Sequence, residues 1–174
     1  MKHPLVFFGD KSLRTRCEDV EAVTDEVKAF GQELIDSMNE SNGCGLAAPQ
    51  VGVLIRMFVI AYIGDDEEGG PILGEPTVCI NPTVEVIGDE VWETDEGCLS
   101  IPGVVVPVER PWKVKVSYTN INGELVEEVM SGWRARNFLH ENDHLNGVLI
   151  VDRTPTQDKR RVEPKLRLLK KKYS

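Results

Sequence analysis

Apolar and polar residues follow two rhythms along this chain, one helical and one strand-like. From Thr24 the positions Val27, Phe30, Leu34 and Met38 recur at helical spacing and predict a helix with one buried face. Thr24 is placed to cap it, Asp25 and Glu26 suit the positive end of its dipole, and Asn42-Gly43 end it. Residues 56–63 then form a short apolar run, read as a buried strand, and residues 64–74, acidic and glycine-rich, predict a mobile loop. Residues 78–80 and 84–92 read as strands separated by Asn81-Pro82, and 104–108 as another. Val114, Val116 and Tyr118 alternate with Lys113, Lys115 and Ser117, Asn122-Gly123 signals a hairpin turn, and 125–130 returns as the partner strand.

The rhythm then turns helical again. Ser131 is a plausible N-cap, residues 133–146 hold no proline or glycine, and Gly147 stands where a closing glycine belongs. A last helix is predicted over about 157–173, with Val162, Leu166, Leu169 and Tyr173 on one face and Pro164 delaying its start. No repeat and no linker interrupts the pattern, so residues 1–174 read as one domain. Short strands with a few separate helices predict an α+β fold with antiparallel sheet.

Composition narrows the class. At 41% hydrophobic and 28% charged the chain is an ordinary globular protein, and its formal net charge of −9 argues against generic DNA or RNA binding. The apolar patch from Leu5 to Phe8, after Lys2, is too short for the core of a signal peptide, and no apolar run reaches the length of a membrane span. Cys17, Cys44, Cys79 and Cys98 are scattered without a CxxC pair, so they read as reduced thiols of a cytoplasmic protein.

The strongest chemical signal is His140-Glu141-Asn142-Asp143-His144. Positions i and i+4 share a helix face, so both imidazoles can grip one metal ion while Glu141 reaches its water as general base. Two unrelated histidines are the competing reading, but the chain has three histidines and two fall in this pattern. HExxH alone says metallohydrolase; the third ligand decides the class. Gly147 fits an extended HxxGxxH motif, but Ile150 stands where its third histidine belongs. Glu163 is the candidate for a peptidase with a glutamate ligand. A cysteine is the remaining option: Cys98 in Glu96-Gly97-Cys98-Leu99-Ser100, with Cys44 as a rival thiol. In Gly43-Cys44-Gly45-Leu46-Ala47-Ala48-Pro49-Gln50, small residues permit close approach and Gln50 can offer an amide to an oxyanion. A tight turn before a strand explains that segment equally well.

Taken together, GCGLAAPQ at 43–50, EGCLS at 96–100 and HENDH at 140–144 resemble, in order, the three signature motifs of the peptide deformylases. The resemblance implies antiparallel sheets packed around a central helix that carries HExxH, with a C-terminal helix. It implies Cys98, His140 and His144 as metal ligands, Glu141 as general acid/base, and Gln50 with the Leu99 N–H as oxyanion donors. It places Gly43, Gly45 and Glu96 against the substrate, bound as an added strand. The ion would be Fe²⁺, one per chain, with Zn²⁺, Ni²⁺ or Co²⁺ able to substitute. The substrate would be the N-formyl-methionyl end of a newly made protein: metal-bound water attacks the formyl carbon, and formate and a free amine leave. A non-catalytic metal- or peptide-binding relative is the reading from another class.

Two departures stand out. Leu139 replaces the usual glutamine before the first histidine, removing a polar group behind the ligands, and Asn142 replaces an apolar residue. An arginine downstream of EGCLS is also expected, which assigns Arg110 as a partner of Asp143. Phe138 and Leu139 are expected to help form an apolar recess for the methionine side chain. Lys159, Arg160, Arg161, Lys165, Arg167, Lys170, Lys171 and Lys172 make a basic tail. It reads as the solvated face of a terminal helix, and the resemblance adds docking to ribosomal RNA.

Overall fold

The computed structural model of the chain describes residues 3–174; Lys2 lies outside them. The first long helix, α1 (Asp25–Glu40), starts where the Thr24 hydroxyl accepts from the Val27 N–H at 3.2 Å. It ends before Asn42, whose φ of 57° turns the chain left-handed. Leu34 and Met38 bury its inner face against Leu46, Met57, Val59 and Ile80, with Val27 and Phe30 alongside, as the spacing predicts.

The strands in chain order are β1 (Gly45–Ala47), β2 (Met57–Asp65), β3 (Pro71–Val86), β4 (Val91–Gly97), β5 (Val105–Pro111), β6 (Lys113–Thr119) and β7 (Leu125–Ser131). They build a five-stranded sheet in the order β1-β2-β3-β6-β7 and a separate pair β4-β5, with every pairing antiparallel. Residues 45–47, where a tight turn was an equal expectation, are an edge strand that pairs Leu46 with Val59.

Two expectations are corrected. Residues 64–74 are not a loop: β2 and β3 continue as a hairpin to the pair Asp65–Pro71. The Asp66 carboxylate organises its turn by accepting from the N–H groups of Glu68 at 2.9 Å and Gly70 at 2.8 Å, which the acidic, glycine-rich composition concealed. Nor does Asn81-Pro82 separate two strands. β3 runs through it with a register shift, because Asn81 takes a φ of 50° and bonds the Val20 backbone in both directions. The break falls later, so Val91 and Trp92 begin the second sheet.

Helix α2 (Gly132–Leu145) lies between the sheets. One side packs Ala135, Phe138 and Leu145 on Phe58, Cys79, Val116 and Met130, with the Phe58 and Phe138 rings edge to face at 4.9 Å. Burying apolar side chains of this size stabilises by roughly 1.5–3 kcal/mol each. Ser131, the expected cap, makes no side-chain capping bond. Asp65, from the distant hairpin, instead accepts from the Trp133 N–H at 2.9 Å. Gly132 has a φ of 59°, and a Cβ there would stand 2.0 Å from Asp65 Oδ2, so only glycine admits this external cap.

A short helix α3 (Ile150–Arg153), not foreseen from the sequence, precedes α4 (Thr156–Tyr173). Asp152 holds α3 by accepting from the Leu149 N–H at 2.8 Å. Pro164 does not delay α4; the helix starts eight residues earlier at Thr156 and contains the proline. Val162 and Leu166 seat α4 on Ile101, Val104, Val106 and Val108, the inner face of the β4-β5 pair and its flank. The α+β class, the central helix between antiparallel sheets and the terminal helix are thus as the sequence and its resemblance imply.

If Asp65 caps α2, Asp65→Ala lowers unfolding free energy by about 1 kcal/mol. Urea denaturation reads this as an earlier midpoint at unchanged slope.

Candidate active site

The helical phase of α2 sets the chemistry. His140, Glu141 and His144 lie on the face that Trp133, Arg136 and Asn137 begin, at spacings of three and four residues. That face looks into a cavity of about 580 Å³, whose opposite lining includes Gly43, Gly45, Gln50 and Leu99. Phe138 and Leu139 point the other way, into the core around Phe58 and Tyr118, so neither forms the expected apolar recess.

Cys98 follows the last residue of β4, in a turn where the Ile101 N–H donates to the Cys98 carbonyl at 2.9 Å. Its Sγ comes 3.4 Å from His144 Nε2. One ligand atom each from Cys98, His140 and His144 lies within 4.8 Å of the others, and among the described residues this is the one such group. Cys44 and Glu163, the rival ligands, are not in it. Cys44 lines the cavity, and Glu163 faces Arg167 on α4 at 3.8 Å.

Gln50 is buried with a fixed orientation. Its Oε1 accepts from the Ala47 N–H at 2.9 Å, so its Nε2 faces Ser100 Oγ at 3.2 Å and Cys98 Sγ at 3.6 Å. The nearby glycines leave room that other side chains use: a Cβ on Gly43 would displace Leu99 Cδ1, 2.7 Å away, and one on Gly45 would press on Glu141 Oε2 at 2.5 Å.

Glu96 behaves differently from the expected substrate contact. Oε1 accepts from His140 Nδ1 at 2.8 Å and from Arg110 Nη2 at 2.9 Å. Oε2 accepts from Arg110 Nε at 2.6 Å and from Arg136 Nη1. Both oxygens are committed, which fixes the His140 ring with Nε2 toward the cavity. Arg110 also reaches Asp143 at 3.0 Å, the partner assigned from the sequence, and Arg153 closes on both oxygens of Asp143 at 2.8 and 2.9 Å. Burial alone would raise Glu96, but Arg110 and His140 outweigh it and hold the carboxyl well below the usual range.

Glu141 is 3% exposed, and burial pushes its carboxyl up to about 7 against the pull of His140. Its Oε1 and His144 Nδ1 have no hydrogen-bond partner among the described residues. Burial and the neighbouring His140 keep His144 well below the usual imidazole range, hence neutral and able to ligate. A sulfur, two imidazole nitrogens and an unpaired buried carboxylate oxygen fit a divalent cation with an open position for solvent. Arg136, Asn137, Tyr62 and Trp133 were not singled out from the sequence. For three of them the i, i+3, i+4 phase with His140 was the available signal.

Residues 2–160 match the family described as polypeptide deformylase. A peptide deformylase of Thermotoga petrophila is 42% identical over 165 residues, covering 95% of this chain and 90% of that protein. One from Fusobacterium nucleatum is 36% identical over 173 residues, covering 98% and 94%. The solved peptide deformylase of Plasmodium falciparum aligns with a TM-score of 0.87 at 37% identity, over 98% of this chain and 96% of that one. The enzyme from Synechococcus elongatus, in complex with actinonin, aligns at 0.79 and 38% identity, over 98% and 85%.

Removing the Glu96 charge takes the paired carboxylate from buried Arg136 and leaves buried Arg110 with Asp143 alone. Glu96→Gln is expected to cost about 3–5 kcal/mol of stability in urea titrations. The contribution of the wild-type carboxylate is complete above the ordinary glutamate pKa of about 4.3 and is lost as pH falls below it, because the folded value is the lower one.

Proposed function

The chain belongs to the polypeptide deformylase family, and on that premise we propose how its residues remove the N-formyl group from the first methionine of a newly made protein. The observation that carries the reading is the meeting of Cys98 Sγ with the imidazoles of His140 and His144 beside the unpaired oxygen of Glu141. These three side chains are the ligands, and Fe²⁺ is the working ion, with Zn²⁺, Ni²⁺ or Co²⁺ able to replace it. Bound there, a divalent cation supplies an acidified water and polarises a carbonyl.

The chain's own residues do the rest. β1 offers its free edge to the substrate backbone, and Gly45 lets that backbone come against Glu141. Gln50 Nε2 and the Leu99 N–H donate to the formyl oxygen as charge develops on it. Glu141 accepts a proton as water adds to the formyl carbon and returns it to the departing nitrogen, leaving formate and a free amine. Gly43, closed over by Leu99, keeps the acyl end narrow enough for a formyl hydrogen. Glu96 acts through His140, whose ring it holds.

The proposed location is the cytoplasm. All four cysteines are unpaired, and no helix among the described residues is long and apolar enough to cross a membrane. α4 buries Val162 and Leu166 and exposes Lys170, Lys171 and Lys172, a basic face suited to ribosomal RNA at the site where nascent chains emerge.

Glu141→Gln is expected to keep its metal by elemental analysis yet lose nearly all turnover of formyl-Met-Ala-Ser; near-normal activity overturns the role. Cys98→Ala is expected to lose the metal and Cys44→Ala to keep it, and the reverse pattern would show that the wrong thiol was chosen. Replacing Lys170, Lys171 and Lys172 by glutamate spares the buried face of α4 and is expected to abolish co-sedimentation with ribosomes. Unchanged co-sedimentation removes the docking role.

A further inference from the structure

One wall of the cavity is used by none of the roles above. Asn137 is 4% exposed, and its Oδ1 accepts from the Tyr62 N–H at 3.1 Å. That bond fixes which way the carboxamide points, so Nδ2 faces the strand at Gly45. The position a Gly45 Cβ would occupy is 2.7 Å from Asn137 Nδ2 and 2.5 Å from Glu141 Oε2, which puts a donor beside the catalytic carboxylate. Next to them, Tyr62 and Cys44 line the same cavity. Burial raises both groups, so both keep their protons at neutral pH. Each therefore has a proton to donate. Trp133 completes this side; its Nε1–H is already engaged by the Gly69 carbonyl at 2.8 Å.

The leaving nitrogen that Glu141 protonates carries the Cα of the first residue. On that reading the residue's side chain starts beside Glu141, in the cavity that Asn137, Tyr62 and Cys44 help to line. A thioether is a weak acceptor for such donors. A methionine sulfoxide has the same chain length and adds a strong acceptor oxygen.

Resting on the deformylase reading, we propose that this site also deformylates chains whose first methionine has been oxidised to the sulfoxide, with Asn137, Tyr62 and Cys44 receiving the sulfoxide oxygen. The reaction is the same hydrolysis, with water consumed and formate released, and the sulfur does not change oxidation state. Asn137 is then a specificity-determining residue.

The experiment compares kcat/KM of the full-length, nickel-loaded protein on formyl-Met-Ala-Ser, its methionine sulfoxide counterpart and formyl-norleucine-Ala-Ser, which lacks an acceptor. The sulfoxide peptide is expected within about threefold of the methionine peptide, and Asn137→Val is expected to lower the sulfoxide-to-norleucine ratio about tenfold, the usual weight of one buried hydrogen bond. Asn137 also supports the Tyr62 backbone, so Tyr62→Phe serves as a second variant that removes only a hydroxyl; it is expected to lower the same ratio. A sulfoxide peptide about a hundredfold poorer than methionine in the wild type overturns the inference while leaving the deformylase reading intact. So does an equal fall on all three peptides in both variants. No turnover of the methionine peptide itself overturns the deformylase reading, and this one with it.

Discussion

A single carboxylate buried between the two sheets organises the working end of this protein. Glu96 leaves β4, takes hydrogen bonds from Arg110 on β5, and takes two more from Arg136 and His140 on α2. Strands β4 and β5 and helix α2 are thereby tied at one point. Burying so many charges is defensible only because each is paired and hydrogen-bonded. The arrangement also does what apolar packing cannot: it sets the rotation of an imidazole ring, and with it the direction of the nitrogen offered to the cavity. Asp143, held by Arg110 and Arg153, extends the tie to the residue before His144. His140 is thus braced through its ring, whereas His144, whose Nδ1 has no partner among the described residues, is steadied through the neighbouring Asp143.

The cavity side is built on different terms. Small residues dominate there, with Leu99 and Glu141 resting where side chains at 43 and 45 would otherwise stand. Gln50 is held by its own neighbours, Ala47 and Ser100, so its amide is oriented before any substrate arrives. Preorganised donors of this kind cost no rearrangement at the moment of reaction, which is where their catalytic value lies.

Much of this was legible in the sequence because it is local or carried by rigid spacing. The α1 face, the β6-β7 hairpin at Asn122-Gly123 and the i, i+4 histidines all follow from periodicity. The Cys98 choice came from resemblance rather than spacing, since a lone cysteine carries no local signal. The misreadings have separate physical origins: a turn built by its own side chain, a cap delivered from a distant strand, and helical phase. Asp66 folding its own turn hid a hairpin inside an acidic stretch. Asp65 replaced Ser131 as the cap of α2, and no local pattern announces a cap delivered from another strand. Nearness to His140 in sequence points to Phe138 and Leu139, whereas helical rotation carries them to the opposite side and brings Asn137 and Trp133 forward instead.

The hairpin cap has one more implication, for how this chain can change over generations. Asp65 and Gly132 lie far apart in sequence, yet the aspartate fills the space a side chain at 132 would need. An ancestor could not have enlarged position 132 while the aspartate stood there. Loss of the aspartate, for its part, would still leave a backbone bent for glycine. The constraint therefore runs one way: position 65 can drift at the cost of a helix cap, whereas position 132 stays glycine in either case.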